Sequence, residues 1–351
     1  LLAFALTILL LWILEPVAHH IGLVDHPSGR KAHRYPTPLT GGIAVFTVFA
    51  FSVLTLDVSL SNYRMLFAGS LLLVVVGAID DIYELSSARR FFTQIMAGLL
   101  MALGGGTVLA DFGYLIMPDG VPSLGLLMVP ITVFATVGVI NAVNMIDGLD
   151  GLAASLVLIA SIALGIIAWS GGNAWGIAVL GLLSAAILAF LGFNLRLGRR
   201  ALVFMGDAGS LFLGFALVWF LVDFSQGEQR SMEPVTALWL FVVPLIHTVS
   251  IMGRRVLLGR SPFLADQEHF HHILLAAGFS PKRALVLILL IELAAACVGL
   301  VGHFLGVSEH WMFLGFLFLF ALHFWILMRA WSTRHFLGRP LAPSDGTHGS
   351  G

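Results

Sequence analysis

Charged side chains are scarce in this 351-residue chain: Lys, Arg, Asp and Glu make up 11% of it, where a soluble domain carries about 25%. Apolar residues take their place, at 59% against about 45–50% in an average soluble domain, and the mean hydropathy is +0.98. That much apolar surface exceeds what one water-excluding core can take in. It excludes a soluble globular protein and points to an integral membrane protein. Cysteine is nearly absent too. Cys297 stands alone inside an apolar run, which excludes an internal disulfide framework and leaves a small core hydrophobe. The formal net charge of −1 is less informative than where the charges fall, and nucleic acid is not an expected partner. A separate polar domain is also lacking: residues 1–339 read as a single membrane-embedded domain and the Pro/Gly/Ser-rich residues 340–351 as a disordered cytoplasmic tail.

What is present is a series of apolar runs punctuated by charges, Gly and Pro. They predict an all-α helix bundle of about eleven transmembrane spans, near 1–18, 40–58, 64–80, 90–106, 124–143, 151–170, 174–193, 205–223, 235–253, 283–303 and 311–329. Only helices satisfy their own backbone in lipid, so each run reads as helical. The chain begins at Leu1, and the stretch before Glu15-Pro16 is shorter than the ~20 residues that cross a bilayer, so a few residues are expected to precede it. It has no small-residue cleavage site and reads as a span, not a signal peptide.

Basic residues orient the bundle. With the loop of Arg30, Lys31 and Arg34 in the cytoplasm, alternation along the spans puts every Lys and Arg inside except Arg64 and Arg230. The amino terminus then lies outside and the carboxyl terminus inside.

Acids contribute little to topology, so their positions carry separate information. Asp80-Asp81 end the third run, in Gly77-Ala-Ile-Asp-Asp-Ile-Tyr-Glu84. Asp147 and Asp150 lie in Asn141-Ala-Val-Asn-Met-Ile-Asp-Gly-Leu-Asp-Gly151, and Asp207 in Gly206-Asp-Ala-Gly-Ser210 opens the eighth run. The fourth cluster is Asp266-Gln-Glu-His-Phe-His-His272. Under this topology all four fall at helix ends on the cytoplasmic side. Each has a plain structural reading: a solvated helix end, a polar turn, a helix start. Yet two adjacent carboxylates at an apolar interface repel and invite a cation. Asp147 and Asp150, three residues apart, share one face of a helical turn, and the amides of Asn141 and Asn144 beside them suit a nucleobase or sugar. A helix N-terminus at Asp207 favours phosphate, to which an Asp can bridge through Mg²⁺. Zinc on the histidines is the alternative, but a set dominated by carboxylates suits a hard cation. Carboxylates, His and Arg/Lys on one membrane face suit phosphoryl transfer between polyanions. Lys31, with Arg30 and His33, and Arg260 supply further cationic contacts to phosphate.

In this order the motifs resemble those of the polyprenyl-phosphate N-acetylhexosamine-1-phosphate transferases. The resemblance runs from Asp25-His-Pro-Ser-Gly-Arg-Lys31 and Pro38-Leu-Thr-Gly-Gly42 to the His-x-His-His run and Ala277-Gly-Phe279. Within the family the chain is most similar to the branch that makes undecaprenyl-diphospho-N-acetylglucosamine from UDP-GlcNAc, through Asn141–Ala153, Arg199–Ser210 and Pro234–Trp239. The branch using UDP-MurNAc-pentapeptide has a differently worded histidine loop.

The resemblance implies that Asp80 and Asp81 are the family's Asp-Asp pair, that Asp207 is its Mg²⁺ ligand, and that Asp147 and Asp150 are nucleotide-side acids. His269, His271 and His272 would contact the donor's phosphates or sugar. It further implies Mg²⁺ (or Mn²⁺) as cofactor, with UDP-GlcNAc, undecaprenyl phosphate and the bilayer as partners, and leaves a homodimer open. The site would face the cytoplasm of a bacterial inner membrane, at the initiating step of a lipid-linked cell-surface polysaccharide such as O-antigen. Two positions depart from the family's wording: His247, where relatives carry Asp, and Gln267, where they often carry a basic residue.

The expected reaction is attack by the lipid phosphate on the β-phosphorus of the nucleotide sugar. A covalent aspartyl-phosphate route is its mechanistic rival, and a transporter or flippase the non-enzyme rival. Transport sites sit near the midplane, whereas these acids sit at span ends. Glu292 and His323 are the mid-span polar residues, explained as partnered structural groups.

Overall fold

The computed structural model describes residues 1–26, 35–56, 60, 63–115, 121, 123–196, 200–228, 230–259, 261 and 270–336, with backbone alone at 270, 271 and 330–336. Lys31, Arg260, Gln267, His269 and the 340–351 tail lie outside the described residues, as does the His271 side chain. Nearly everything described is helical. The helices are α1 (Leu2–Ile21), α2 (Gly41–Leu54), α3 (Arg64–Tyr83), α4 (Ser87–Leu99), α5 (Met128–Ile146), α6 (Leu152–Ser170) and α7 (Ala174–Asn194), followed by α8 (Gly206–Ser225), α9 (Pro234–Trp239), α10 (Val242–Leu257), α11 (Phe270–Ala276), α12 (Pro281–Phe304) and α13 (Glu309–Phe336). A two-residue antiparallel ladder, β1 (Val24–Asp25) with β2 (Thr37–Pro38), brackets the first loop.

Among the described residues, eight helical stretches are long and apolar enough to cross a membrane: α1, α3, Gly125–Ile146, α6, α7, α8, α12 and Glu309–Arg329 of α13. The other three expected spans are helical but fall short of that standard, each for a physical reason. Among the described residues of the run 40–58, the helix is α2, of 14 residues. The run 90–106 starts as α4, whose first turn holds Arg89 and Arg90, and ends in a π-helical turn over Leu100–Gly104. The run 235–253 is broken between Trp239 and Val242 into α9 and α10. Apolar composition marks the depth of a segment but not the continuity of its helix.

The bundle is built around α8, 94% of which is buried, against 22% for α1 and 17% for α13 at the margins. Helix α8 packs on α3, α5, α2 and α6, with Phe212, Phe215 and Trp219 filling the centre. Glycine lets it approach so closely. A Cβ on Gly77 of α3 would fall 2.5 Å from the Ala208 backbone, and one on Gly42 of α2 would fall 2.1 Å from Gly209 Cα. A second apolar cluster joins α9, α10, α12 and α13 around Trp239, Met312 and Phe316, and the Trp239 indole N–H donates to the Met312 carbonyl at 3.1 Å.

Candidate active site

Asp207 owes its position to backbone pairing. Phe204 N–H donates to Pro38 O at 2.8 Å, Gly41 N–H to Phe204 O at 3.0 Å, and Gly42 N–H to Met205 O at 2.9 Å. These bonds lock the approach to α8 against the start of α2. Gly206 then turns at φ 70°, a left-handed conformation that glycine adopts without steric cost, and α8 begins with Asp207 in its first turn.

The end of α3 meets the start of α8 through Asp81. Its Oδ1 accepts from Asp207 N–H at 2.8 Å and its Oδ2 from Ala208 N–H at 3.3 Å. Helix N-termini leave such donors unpaired and carry partial positive charge, so a carboxylate from a neighbouring helix is a favourable cap. Asp80, 5% exposed, turns elsewhere. Leu85 N–H donates to its Oδ1, and Arg90 of α4 lies 3.3 Å from its Oδ2. The same guanidinium is 3.9 Å from Asp207 Oδ2, while the Asp80 and Asp207 side chains come within hydrogen-bonding reach of each other. Arg90 thus lies beside both acids.

Helix α5 closes the third side. Asn144 Nδ2 donates to Asp207 Oδ1 at 2.6 Å and to Ser210 Oγ at 2.9 Å, fixing the carboxylate's rotamer. Just past the helix end, Asp147 is exposed, with protein atoms crowding its carboxyl. Restricted hydration there, then the like charges of Asp207 and Asp150, raise its carboxyl to about 7. Asp150 also faces water, two residues before α6 begins.

Asp80, Asp81, Asn144, Asp147 and Asp207 are therefore brought together, with Asp150 at the rim. Asn141 stands apart. Its Nδ2 is taken up by Gln94 Oε1 at 2.6 Å and Val137 O at 2.8 Å, which makes it a tie between α4 and α5 instead of an open amide. His272 is half-buried in α11. His247, one of the departures, packs edge-on against His323 of α13, ring centroids 5.8 Å apart. Sequence reading missed Arg90 and Ser210 as site residues. The signal for Arg90 was the basic pair Arg89-Arg90 shortly after the acidic pair; Ser210 lay inside a quoted motif.

Among the described residues no group of three or more His, Cys, Asp or Glu is arranged to hold a metal ion. A cavity of about 730 Å³ opens at the other end of the bundle, between Tyr114, Glu233 and the α12–α13 junction. Its lining holds none of these acids.

Positions 63–225 match the family described as Glycosyl transferase family 4, a segment that starts before Asp80 and ends with α8. Over 341 residues the chain is 38% identical to the undecaprenyl-phosphate alpha-N-acetylglucosaminyl 1-phosphate transferase of Yersinia pestis, covering 96% of this chain and 92% of that protein. Its counterpart in Escherichia coli K12 is 37% identical over 342 residues, with the same coverage. That of Haemophilus influenzae Rd is 36% identical over 338 residues, 94% of each. Nearly full-length identity at this level, on a helical membrane scaffold that gathers the motif acids at one end, places the chain in glycosyl transferase family 4.

Proposed function

We propose that this protein transfers N-acetylglucosamine 1-phosphate from UDP-GlcNAc to undecaprenyl phosphate, releasing UMP. The observation that carries the reading is the meeting of Asp80, Asp207, Asn144 and Arg90 where four helix ends converge, in a chain aligned nearly end to end with transferases named for that reaction. An oxygen of the lipid phosphate forms a bond to the β-phosphorus. The bond from that phosphorus to the bridging oxygen breaks, and UMP leaves with the electron pair. A phosphate monoester is already ionised near pH 7, so positioning and charge neutralisation matter more than a general base.

Each residue has a part in that task. Asp81 caps α8 and so fixes where Asp207 stands. Asn144 holds the Asp207 rotamer. Arg90 keeps two carboxylates close despite their repulsion and offers a cation to incoming phosphate oxygens. Asp147 and Asp150 line the nucleotide side, and the histidine run with Lys31 and Arg260 grips the diphosphate. The two acids in mutual reach, Asp80 and Asp207, fit a hard divalent ion that takes one or two carboxylates and leaves its other positions to water and substrate phosphates. We therefore assign Mg²⁺, with Mn²⁺ as a substitute, to Asp207 and Asp80. Bound there, the ion supplies charge neutralisation to the diphosphate. Asp81, first expected as a third ligand, keeps its capping role in this reading.

The same reading puts the acids on the cytoplasmic side of a bacterial inner membrane, with α2, the α4 run and the broken α9–α10 completing eleven crossings. The reaction would start a lipid-linked surface polysaccharide. Purified protein should release UMP from UDP-GlcNAc only with undecaprenyl phosphate present, and EDTA should abolish release. UMP exchange into UDP-GlcNAc without lipid would instead support the covalent route. Preference for UDP-MurNAc-pentapeptide or another UDP-HexNAc would overturn the donor assignment.

A further inference from the structure

A second set of charged groups lies at the opposite end of the bundle from the active-site acids. Helices α12 and α13 are both long and apolar enough to cross a membrane, so the residues that join them, 305–308, fall at a membrane surface. Gln226, just past α8, accepts from Ala110 N–H through Oε1 at 2.8 Å, which holds the loop carrying Tyr114 at this same end. Between that loop, Glu233 and the α12–α13 turn lies the cavity of about 730 Å³, with His303, His310 and Trp311 also in its wall. Its size is that of a pocket for a small molecule, commonly about 300–1,000 Å³.

Two carboxylates line this cavity. Glu309, 7% exposed, is held by the loop: Tyr114 N–H donates to the carboxylate, and a Cβ on Gly113 would collide with it. Its Oε2 meets no hydrogen-bond donor among the described residues. Glu233 comes within hydrogen-bonding reach of it, and two carboxylates so close repel unless a cation or a proton joins them. Arg230, 2.6 Å from Glu233 Oε2, balances one of the two charges. With His303 and His310 neutral, as imidazoles ordinarily are at pH 7, one negative charge remains. A primary ammonium matches it, with one positive charge and three N–H donors. A bare divalent ion would bring one charge too many and leave most of the volume unfilled. Trp311 in the wall, and Val301, Phe304 and Leu305 next to wall residues, are exposed apolar side chains. They offer a surface to acyl chains at the level where a tryptophan marks the membrane interface. We propose that this cavity binds the headgroup of a phospholipid bearing a primary amine, its ammonium held between Glu309 and Glu233 and its chains along α12 and α13.

The test follows thermal unfolding of the full-length protein in detergent, with dioctanoyl phosphatidylethanolamine or dioctanoyl phosphatidylcholine added. The two lipids differ only at the headgroup nitrogen, which in choline carries its charge without an N–H. The ethanolamine lipid should raise Tm by about 2–4 °C, saturating with concentration, and the choline lipid by less than about half as much. Glu309→Gln should abolish the difference between the lipids. Glu233→Gln, at a more exposed position, replaces it if Glu309→Gln cannot be purified folded. Equal shifts from the two lipids overturn the proposal, as does a difference that survives the Gln substitution. Free ethanolamine matching the lipid at equal concentration would overturn the lipid as the source of the ammonium. Calcium chloride stabilising wild type but not Glu309→Gln, with the ethanolamine lipid inert, would make this a metal site instead. A carboxyl pair joined by a proton alone would leave both lipids without effect. Because Tm is read without substrate, none of these outcomes depends on the transferase reaction proposed above.

Discussion

Arg90 is the residue whose removal should be most informative. It stands 3.3 Å from Asp80 and 3.9 Å from Asp207, so Arg90→Ala leaves two acids in mutual reach without that cation. We expect turnover at fixed Mg²⁺ to fall on the order of 10–100-fold, with Arg90→Lys recovering only part because a point charge cannot bridge as a planar fork does. Steady-state UMP release measures this, and activity within twofold of wild type would remove Arg90 from the site. Asp147 gives a prediction of opposite kind. Its folded-state pKa of about 7 lies above the ordinary 3.8, so the folded protein holds a proton that the unfolded chain releases. The stability this confers is complete below about pH 4 and is lost as pH rises through 7. In EDTA, the Tm of wild type should therefore drop relative to Asp147→Asn between pH 5 and pH 8, and a constant difference would refute the assignment. Neither effect was legible in the sequence. That gives Arg90 as half of a basic pair and Asp147 as a turn acid beside Asp150; that both also meet Asp207 depends on a helix far away in the chain.

At the scale of the element, the start of α8 is where packing and chemistry meet. Gly77→Ala would push a methyl group into the Ala208 backbone at 2.5 Å, where no flexible side chain can yield. Overpacking of this kind costs about 1–3 kcal/mol. It also displaces Asp207, so activity should fall further than stability. Gly138→Ala on α5 is the matched control: nothing lies within 4 Å of its Cβ, and replacing a helical Gly by Ala should be neutral or stabilising by up to about 1 kcal/mol. Thermal melts and UMP release on the pair separate the two, and equal effects would sink the close-approach argument. Span positions were legible because lipid demands continuous apolar helix. The break after Trp239 was not, since the acceptor that makes it tolerable, Glu292, lies 49 residues beyond the Val243 amide it holds.

For the whole molecule, the acids gather at the end of the bundle formed by the last turns of α3 and α5 and the first of α8, and Gln226 lies at the other end, beyond the last turn of α8. In a Cys297→Ser background, a cysteine at Glu84 should react with membrane-impermeant maleimide only in inverted vesicles, and one at Gln226 only in right-side-out cells. Labelling of both from one side would overturn the proposed orientation.

The sequence by itself determined that the chain is a helical membrane protein, where its apolar runs lie, and that its acids fall at their ends. Those properties follow from local composition and from the need of each segment to satisfy its own backbone in lipid. It also carried a family resemblance, which the match to glycosyl transferase family 4 and the nearly full-length identity to its relatives bear out. Only tertiary structure decided that Asp81 caps α8, that Arg90 reaches both Asp80 and Asp207, that Asn141 ties α4 to α5, and that Glu292 accepts from the start of α10. Each of these joins residues from different helices across a packed interface, and the approach that permits them is set by side-chain volume at positions such as Gly42 and Gly77.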